Sequence, residues 1–140
     1  MRCPRCHRPL FRSLRPSLNV WACVHCHGCT ANLTALRRVI LPDALQRAWN
    51  LTIGHVRKSL LRCPSCTRAM NVVPTDGVII DMCRPCQLMW FDPGELDALP
   101  HRSTDELAAE ERGTAARSRL LGRGDLTKLL GQLRSSPAAS

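Results

Sequence analysis

Tyrosine is absent from this 140-residue chain, and its aromatic rings come from two phenylalanines and three tryptophans. So few rings make a poor platform for stacking successive bases. Acidic side chains are also scarce, 11 against 20 Lys and Arg, which leaves a formal net charge of +9. No apolar run approaches the ~18 residues of a membrane-spanning helix. A phosphate-cradling glycine loop, a nucleophile elbow and a zincin helix are all missing. Met1-Arg2-Cys3 enters a cysteine motif at once and leaves no room for a signal peptide. The expectation is therefore a cytoplasmic chain with reduced thiols.

Nine cysteines stand against these absences. Cys63-Pro64-Ser65-Cys66 is followed, after sixteen residues, by Cys83-Arg84-Pro85-Cys86. Two thiolates separated by two residues sit on one tight turn, and both reach an ion at roughly 2.3 Å. The intervening residues suffice for a β-hairpin out and back, which brings the second turn to face the first. Val72-Val73, Pro74-Thr75-Asp76-Gly77 and Val78-Ile79-Ile80 spell strand, turn and strand, with Asp76-Gly77 the hairpin signal. The pattern occurs twice: Cys3, Cys6, Cys23 and Cys26 superpose on Cys63, Cys66, Cys83 and Cys86 under a shift of 60. Two Cys-x2-Cys pairs at this spacing are the form of a four-cysteine zinc site, so two Zn2+ per chain are expected. Four thiolates also suit iron, which keeps an electron-transfer reading open.

The second repeat continues into Trp90-Phe91-Asp92-Pro93-Gly94-Glu95-Leu96. Cysteine pairs followed by this tail resemble the bacterial zinc-ribbon family named after transcription factor IIB, over roughly residues 3 to 100. The resemblance implies zinc binding and no particular reaction. The family usually carries glycines after the fourth cysteine, where Gln87-Leu88 stand here. The first repeat has Thr30-Ala31-Asn32-Leu33-Thr34-Ala35 in place of the acidic tail. The pair also resembles the soluble zinc-binding segment ahead of some rhomboid-type membrane proteases.

The expected fold is a small metal-stabilised α+β arrangement. Two zinc ribbons, each a β-hairpin with paired zinc knuckles, occupy 1–31 and 63–100. A helical linker spans 32–62, a helical tail 101–134, and 135–140 is disordered. Units this small lack a sufficient apolar core, and zinc supplies the missing folding energy. In the linker, Asn32 or Thr34 caps a short helix carrying Leu36, Val39 and Ile40. Pro42-Asp43 opens a longer helix with Leu45, Trp49, Val56 and Leu60 on one face, Gly54 weakening its middle. Behind the second ribbon, Asp92 reads as an N-cap, Pro93 as the first helical residue and Glu95 as the capping-box partner. Leu96 and Leu99 then fold back onto the ribbon. Ser103 with Glu106 reads as a further capping box, opening a helix through about Leu121. Asp125 caps a last segment with Leu126, Leu129, Leu130 and Leu133 at helical spacing.

Several residues carry rival readings. Cys3-Pro-Arg-Cys6-His7 and Cys23-Val-His-Cys26-His27 spell the c-type haem attachment motif. The copies at Thr67 and Gln87 lack the histidine, and haem has no need of hairpin spacing. His7, His25 and His27 read as solvated knuckle residues, since four cysteines already complete a tetrahedral site. Cys29 has Met89 at its shifted position and stays outside the site. Trp21 packs over the metal site, and Trp49 belongs to the core.

A closed four-cysteine site has no open position for water or substrate, so the expectation is a non-enzymatic protein. Filling both sites, each Zn2+ with four thiolates carrying −2, would lower the +9 to about +5. Residues 1–62 hold eleven Lys or Arg and one acid (Asp43), whereas 63–100 hold two Arg and five acids. Two function classes follow. One is a protein-interaction or regulatory module using the acidic second ribbon and terminal helix. The other is a nucleic-acid binder using Arg5, Arg8, Arg12, Arg15, Arg37 and Arg38. The first is preferred, because the better-preserved ribbon is acidic and aromatics are few.

Overall fold

A computed structural model describes residues 1–12, 20–54, 56–110, 112 and 113. Residues 1–102 and those from 103 onward form two units. In the first, the hairpins the cysteine spacing calls for are present, but they are not separate. β1 (Phe11–Arg12), β2 (Val20–Ala22), β3 (Cys29–Asn32), β4 (Lys58–Arg62), β5 (Ala69–Thr75), β6 (Val78–Cys83) and β7 (Leu88–Phe91) form one seven-stranded antiparallel sheet. Its order is β1-β2-β3-β7-β6-β5-β4.

The sixty-residue repeat is written into the register. Phe11↔Ala22 recurs as Asn71↔Met82, Arg12↔Trp21 as Val72↔Asp81, and Trp21↔Thr30 as Asp81↔Trp90. Even the Arg2↔Pro9 bridge has its counterpart in Arg62↔Ala69. The two repeats then join through β3 and β7, where Cys29 faces Phe91, Thr30 faces Trp90 and Ala31 faces Met89. Thr30 and Trp90 are counterparts of each other, and the flanking pairs exchange roles under the same shift. The seam is therefore isologous, as in a twofold dimer, but within one chain.

The Asp76-Gly77 turn forms as the sequence predicts. Both residues take positive φ (45° and 82°), the two-residue hairpin turn whose twist matches the strands it joins.

Between the ribbons lie α1 (Leu33–Leu36) and α2 (Pro42–Asn50). Asn32 caps α1, its side-chain oxygen accepting from Ala35 N at 2.7 Å, while Val39 and Ile40 lie beyond the helix end. The expected long helix is cut short. α2 stops at Asn50, Gly54 takes φ +91° past its end, and Leu60 belongs to edge strand β4 with its side chain fully exposed. Apolar spacing alone cannot separate a helix face from an alternating strand joined to it. α2 does bury Ala44, Leu45 and Ala48. They meet Ile40, Val73, Ile80, Met89 and Phe91 in one core, with Trp49 half-buried against it.

α3 (Glu95–Ala98) follows β7, and Leu99 is buried and Leu96 half-buried against the same core. In the second unit Ser103 and Glu106 form the expected capping box. Glu106 N donates to Ser103 Oγ at 3.2 Å and Ser103 N to Glu106 Oε2 at 2.9 Å, and the following residues are helical. The continuation to Leu121, the Asp125–Leu133 segment and the 135–140 terminus lie outside the described residues.

Candidate metal centres

Each Cys-x2-Cys pair sits on a tight turn. Thr67 N donates to Cys63 O at 2.9 Å, His7 N to Cys3 O at 2.9 Å and His27 N to Cys23 O at 3.0 Å. The residue after the second cysteine of each turn is left-handed: His7 (φ 61°), His27 (60°), Thr67 (61°) and Gln87 (52°). That requirement accounts for the haem-like spelling. The histidine fills the position that reverses the chain, and Thr67 and Gln87 fill it in the other repeat. Glycine would suit the same position best.

The four turns meet in two pairs. The Sγ atoms of Cys3, Cys6, Cys23 and Cys26 all lie within 4.8 Å of one another, and so do those of Cys63, Cys66, Cys83 and Cys86. Cys3–Cys26 and Cys6–Cys23 are 3.4 Å apart, and Cys66–Cys83 3.5 Å. A disulfide would need about 2.05 Å, whereas sulfurs at ~2.3 Å from one tetrahedral ion are about 3.8 Å apart. Each group is thus positioned for one metal ion, as in zinc ribbons. Cys29 belongs to neither group and opens β3 opposite Phe91.

The thiol electrostatics fit a cation. Burial pushes Cys3 up to about 12, while backbone amides, led by that of Cys26, draw Cys23 down to about 6. In the other group burial raises Cys63 and Cys83, and the Arg68 amide leads in lowering Cys66 to about 7. Four neighbouring sulfurs of unequal acidity do not ionise together unaided. A divalent ion supplies the missing charge and holds all four as thiolates.

Cys3, Cys23, Cys63 and Cys83 share one buried cluster with Leu10, Met70, Leu88 and Trp90, and Trp21 packs against it half-buried. Trp90 is fully buried, and Gly28 is what lets its ring cross the seam. A Cβ on Gly28 would overlap the Trp90 ring and lie 3.1 Å from Phe91 O. Thr30 Oγ1 closes the seam by donating to Met89 O at 2.7 Å.

The acidic tail does something other than the sequence suggests. Asp92 does not cap α3 through its carboxylate. Glu95 N donates instead to Asp92 O at 3.1 Å, while Asp92 N donates to Glu95 Oε2 at 2.8 Å, so only the glutamate half of the capping box forms. Gly94, at φ +86°, precedes the helix, and Pro93 lies outside it. The Asp92 carboxylate has stronger donors within reach. Arg5, on the first knuckle, grips it with two guanidinium nitrogens, Nε to Oδ1 at 2.9 Å and Nη2 to Oδ2, and Trp90 Nε1 donates to Oδ1 at 3.1 Å. Burial would raise Asp92, but the Arg5 and Trp90 hydrogen bonds outweigh it and hold the carboxyl below its ordinary value.

Two other acids of the second ribbon are likewise engaged. Asp81 is buried, which raises its pKa despite a hydrogen bond from Ser59. Asp76 accepts from Arg47 Nη2 at 2.7 Å. Of the five acids expected to make an acidic face, only Asp97 is both exposed and without such a role. Among the candidate nucleic-acid residues, Arg8, Arg12, Arg37 and Arg38 are exposed, Arg5 is tied to Asp92, and Arg15 lies outside the described residues.

Residues 62–102 match the family model described as transcription factor zinc-finger. This segment, with its four-cysteine group, is similar to the zinc ribbons of that family. No curated protein and no solved structure matches the chain. Among the described residues, no helix is long and apolar enough to cross a membrane.

Proposed function

We propose that this chain is a non-catalytic zinc-binding module that presents a rigid basic surface to an acidic protein partner. Cys3, Cys6, Cys23 and Cys26 would hold one Zn2+, and Cys63, Cys66, Cys83 and Cys86 the other. Four thiolates close each site, so the ions hold the fold and leave no position for substrate. The observation carrying the partner reading is the fate of the charges. Second-ribbon acids are engaged by Arg5, Arg47 and Ser59, while Arg8, Arg12, Arg37 and Arg38 remain exposed. The basic half thus replaces the acidic half as the binding surface.

A nucleic-acid partner is the second reading, favoured by the same arginines and by the name of the matched family. Against it, Trp90 and Phe91 are fully buried and Trp21 and Trp49 half-buried, which leaves Phe11 as the one exposed Phe or Trp ring among the described residues.

Elemental analysis of purified, untagged protein should find two zinc per chain. Iron instead would revive the electron-transfer reading. A variant with Arg8, Arg12, Arg37 and Arg38 changed to Glu should keep its zinc and lose a captured acidic protein. Titration with duplex and single-stranded DNA at ~50 mM salt separates the readings, because phosphate contacts are strongest there. Tight, salt-sensitive DNA binding lost in the same variant would establish the second reading. Capture unaffected by the charge reversal would defeat the first.

A further inference from the structure

A second group of cations lies apart from those arginines, at the start of β4. Val72 N donates to Arg57 O at 2.9 Å, which pins the Arg57 backbone to β5. Lys58 pairs with Asn71 in register, and its Nζ donates to Asn71 Oδ1 at 2.7 Å. Arg84, between the last two cysteines, places its guanidinium over the Trp49 ring, 5.3 Å from the centroid. Arg57, Lys58 and Arg84 line a cleft of about 590 Å3 with Thr52, Val56 and Asn71. None of the described residues lining it is acidic. The ion pairs found among the described residues, Arg5–Asp92 and Arg47–Asp76, use none of the three.

Three cationic residues lining one concave space repel each other unless an anion joins them. A convex, solvated basic surface lets such side chains spread apart, whereas Trp49 and Asn71 hold Arg84 and Lys58 in place here. Asn71 Oδ1 accepts from Lys58, and its amide NH2 is a donor group. Two guanidinium forks, one ammonium and one neutral donor suit the tetrahedral oxygens of a phosphate. The cleft is large enough for more than the bare ion. We propose that it binds a phosphate group carried by a nucleotide unit, either free or within a strand. The site is independent of the acidic-partner surface, which uses other residues.

The test uses the zinc-loaded full chain at ~50 mM salt, where phosphate contacts are least screened. AMP and an oligothymidylate of roughly ten nucleotides, a length near the site size of small single-strand binders, are titrated by calorimetry. Trp49 fluorescence provides a parallel signal. Saturable binding is expected, weakened at least about tenfold by Arg57→Glu, the loss of a charge-assisted contact. Arg68→Glu makes the same charge change outside the cleft and should alter affinity far less. Arg84→Ala should weaken binding and remove the fluorescence response; if it also loses zinc, Arg57→Glu alone decides. AMP binding as tightly as the oligonucleotide identifies a free nucleotide, and a much tighter oligonucleotide identifies a strand. Saturation by neither probe, or equal weakening by Arg57→Glu and Arg68→Glu, overturns the proposal.

Discussion

Asp92 shows how one side chain's role depends on what lies around it. Its carboxylate satisfies the indole of a buried tryptophan and grips an arginine from the other repeat. Asp92→Ala should cost about 2 kcal/mol in chemical denaturation, because it leaves the Trp90 N–H without its acceptor. Arg5→Ala should cost less, about 0.5–1 kcal/mol, since the pair is half exposed and screened. The carboxyl titrates lower in the folded chain than its unfolded value of about 4. Its contribution is therefore complete above that pH and is lost as pH falls through the lower folded value. The stability difference between wild type and Asp92→Asn should be flat above about pH 5 and shrink below about pH 4. Taking the difference cancels acid release of metal, which both proteins share. Thr67 makes the opposite case. A β-branched residue at φ 61° is strained, so Thr67→Gly should stabilise the zinc-loaded protein by about 0.5–1 kcal/mol in thermal unfolding.

At the scale of elements, the seam between β3 and β7 is the feature on which the others depend. It is short, four residue pairs, and its strength comes from what crosses it. Trp90 fits because residue 28 has no side chain, whereas its counterpart in the second repeat is Leu88. Gly28→Ala should destabilise the chain by about 2–3 kcal/mol, as overpacking against a buried ring does. Quenching or a spectral shift of Trp90 fluorescence should accompany it. An unchanged spectrum with unchanged stability would mean that the two ribbons are held together elsewhere. β4 illustrates a different influence. Lys58, Leu60 and Arg62 alternate outward on an edge strand, and charged side chains there discourage pairing with a second copy.

At the scale of the whole molecule, both four-cysteine groups share a buried cluster around Trp90. Loss of one ion should therefore weaken the other site. A Cys6→Ser/Cys26→Ser variant should hold one zinc, and a chromophoric chelator should remove it about tenfold more readily than from the intact protein, a coupling of about 1.4 kcal/mol. Unchanged affinity of the remaining site would mean that the ribbons load independently. Removing both ions should unfold residues 1–102 together, seen as loss of the strand signal in circular dichroism, because metal binding supplies the folding energy of so small a core.

The cysteine spacing determined the two metal groups, the hairpins and the sixty-residue equivalence, because a tetrahedral ion tolerates few separations between its ligands. Asp76-Gly77 determined its turn, and Ser103 with Glu106 its cap, since both are satisfied within a few residues. The roles of Asp92, Gly28 and the second-ribbon acids were decided only by tertiary structure. Asp92 was legible as a local cap, but Arg5 and Trp90 are stronger partners, and Arg5 lies 87 positions away. The length of α2 also depended on long-range contact, because β5 recruits residues 58–62 as a strand. Nor does a repeat in sequence state whether its copies stand apart or merge. Here the edge strands β3 and β7 would each expose unpaired backbone groups, and pairing with each other satisfies both.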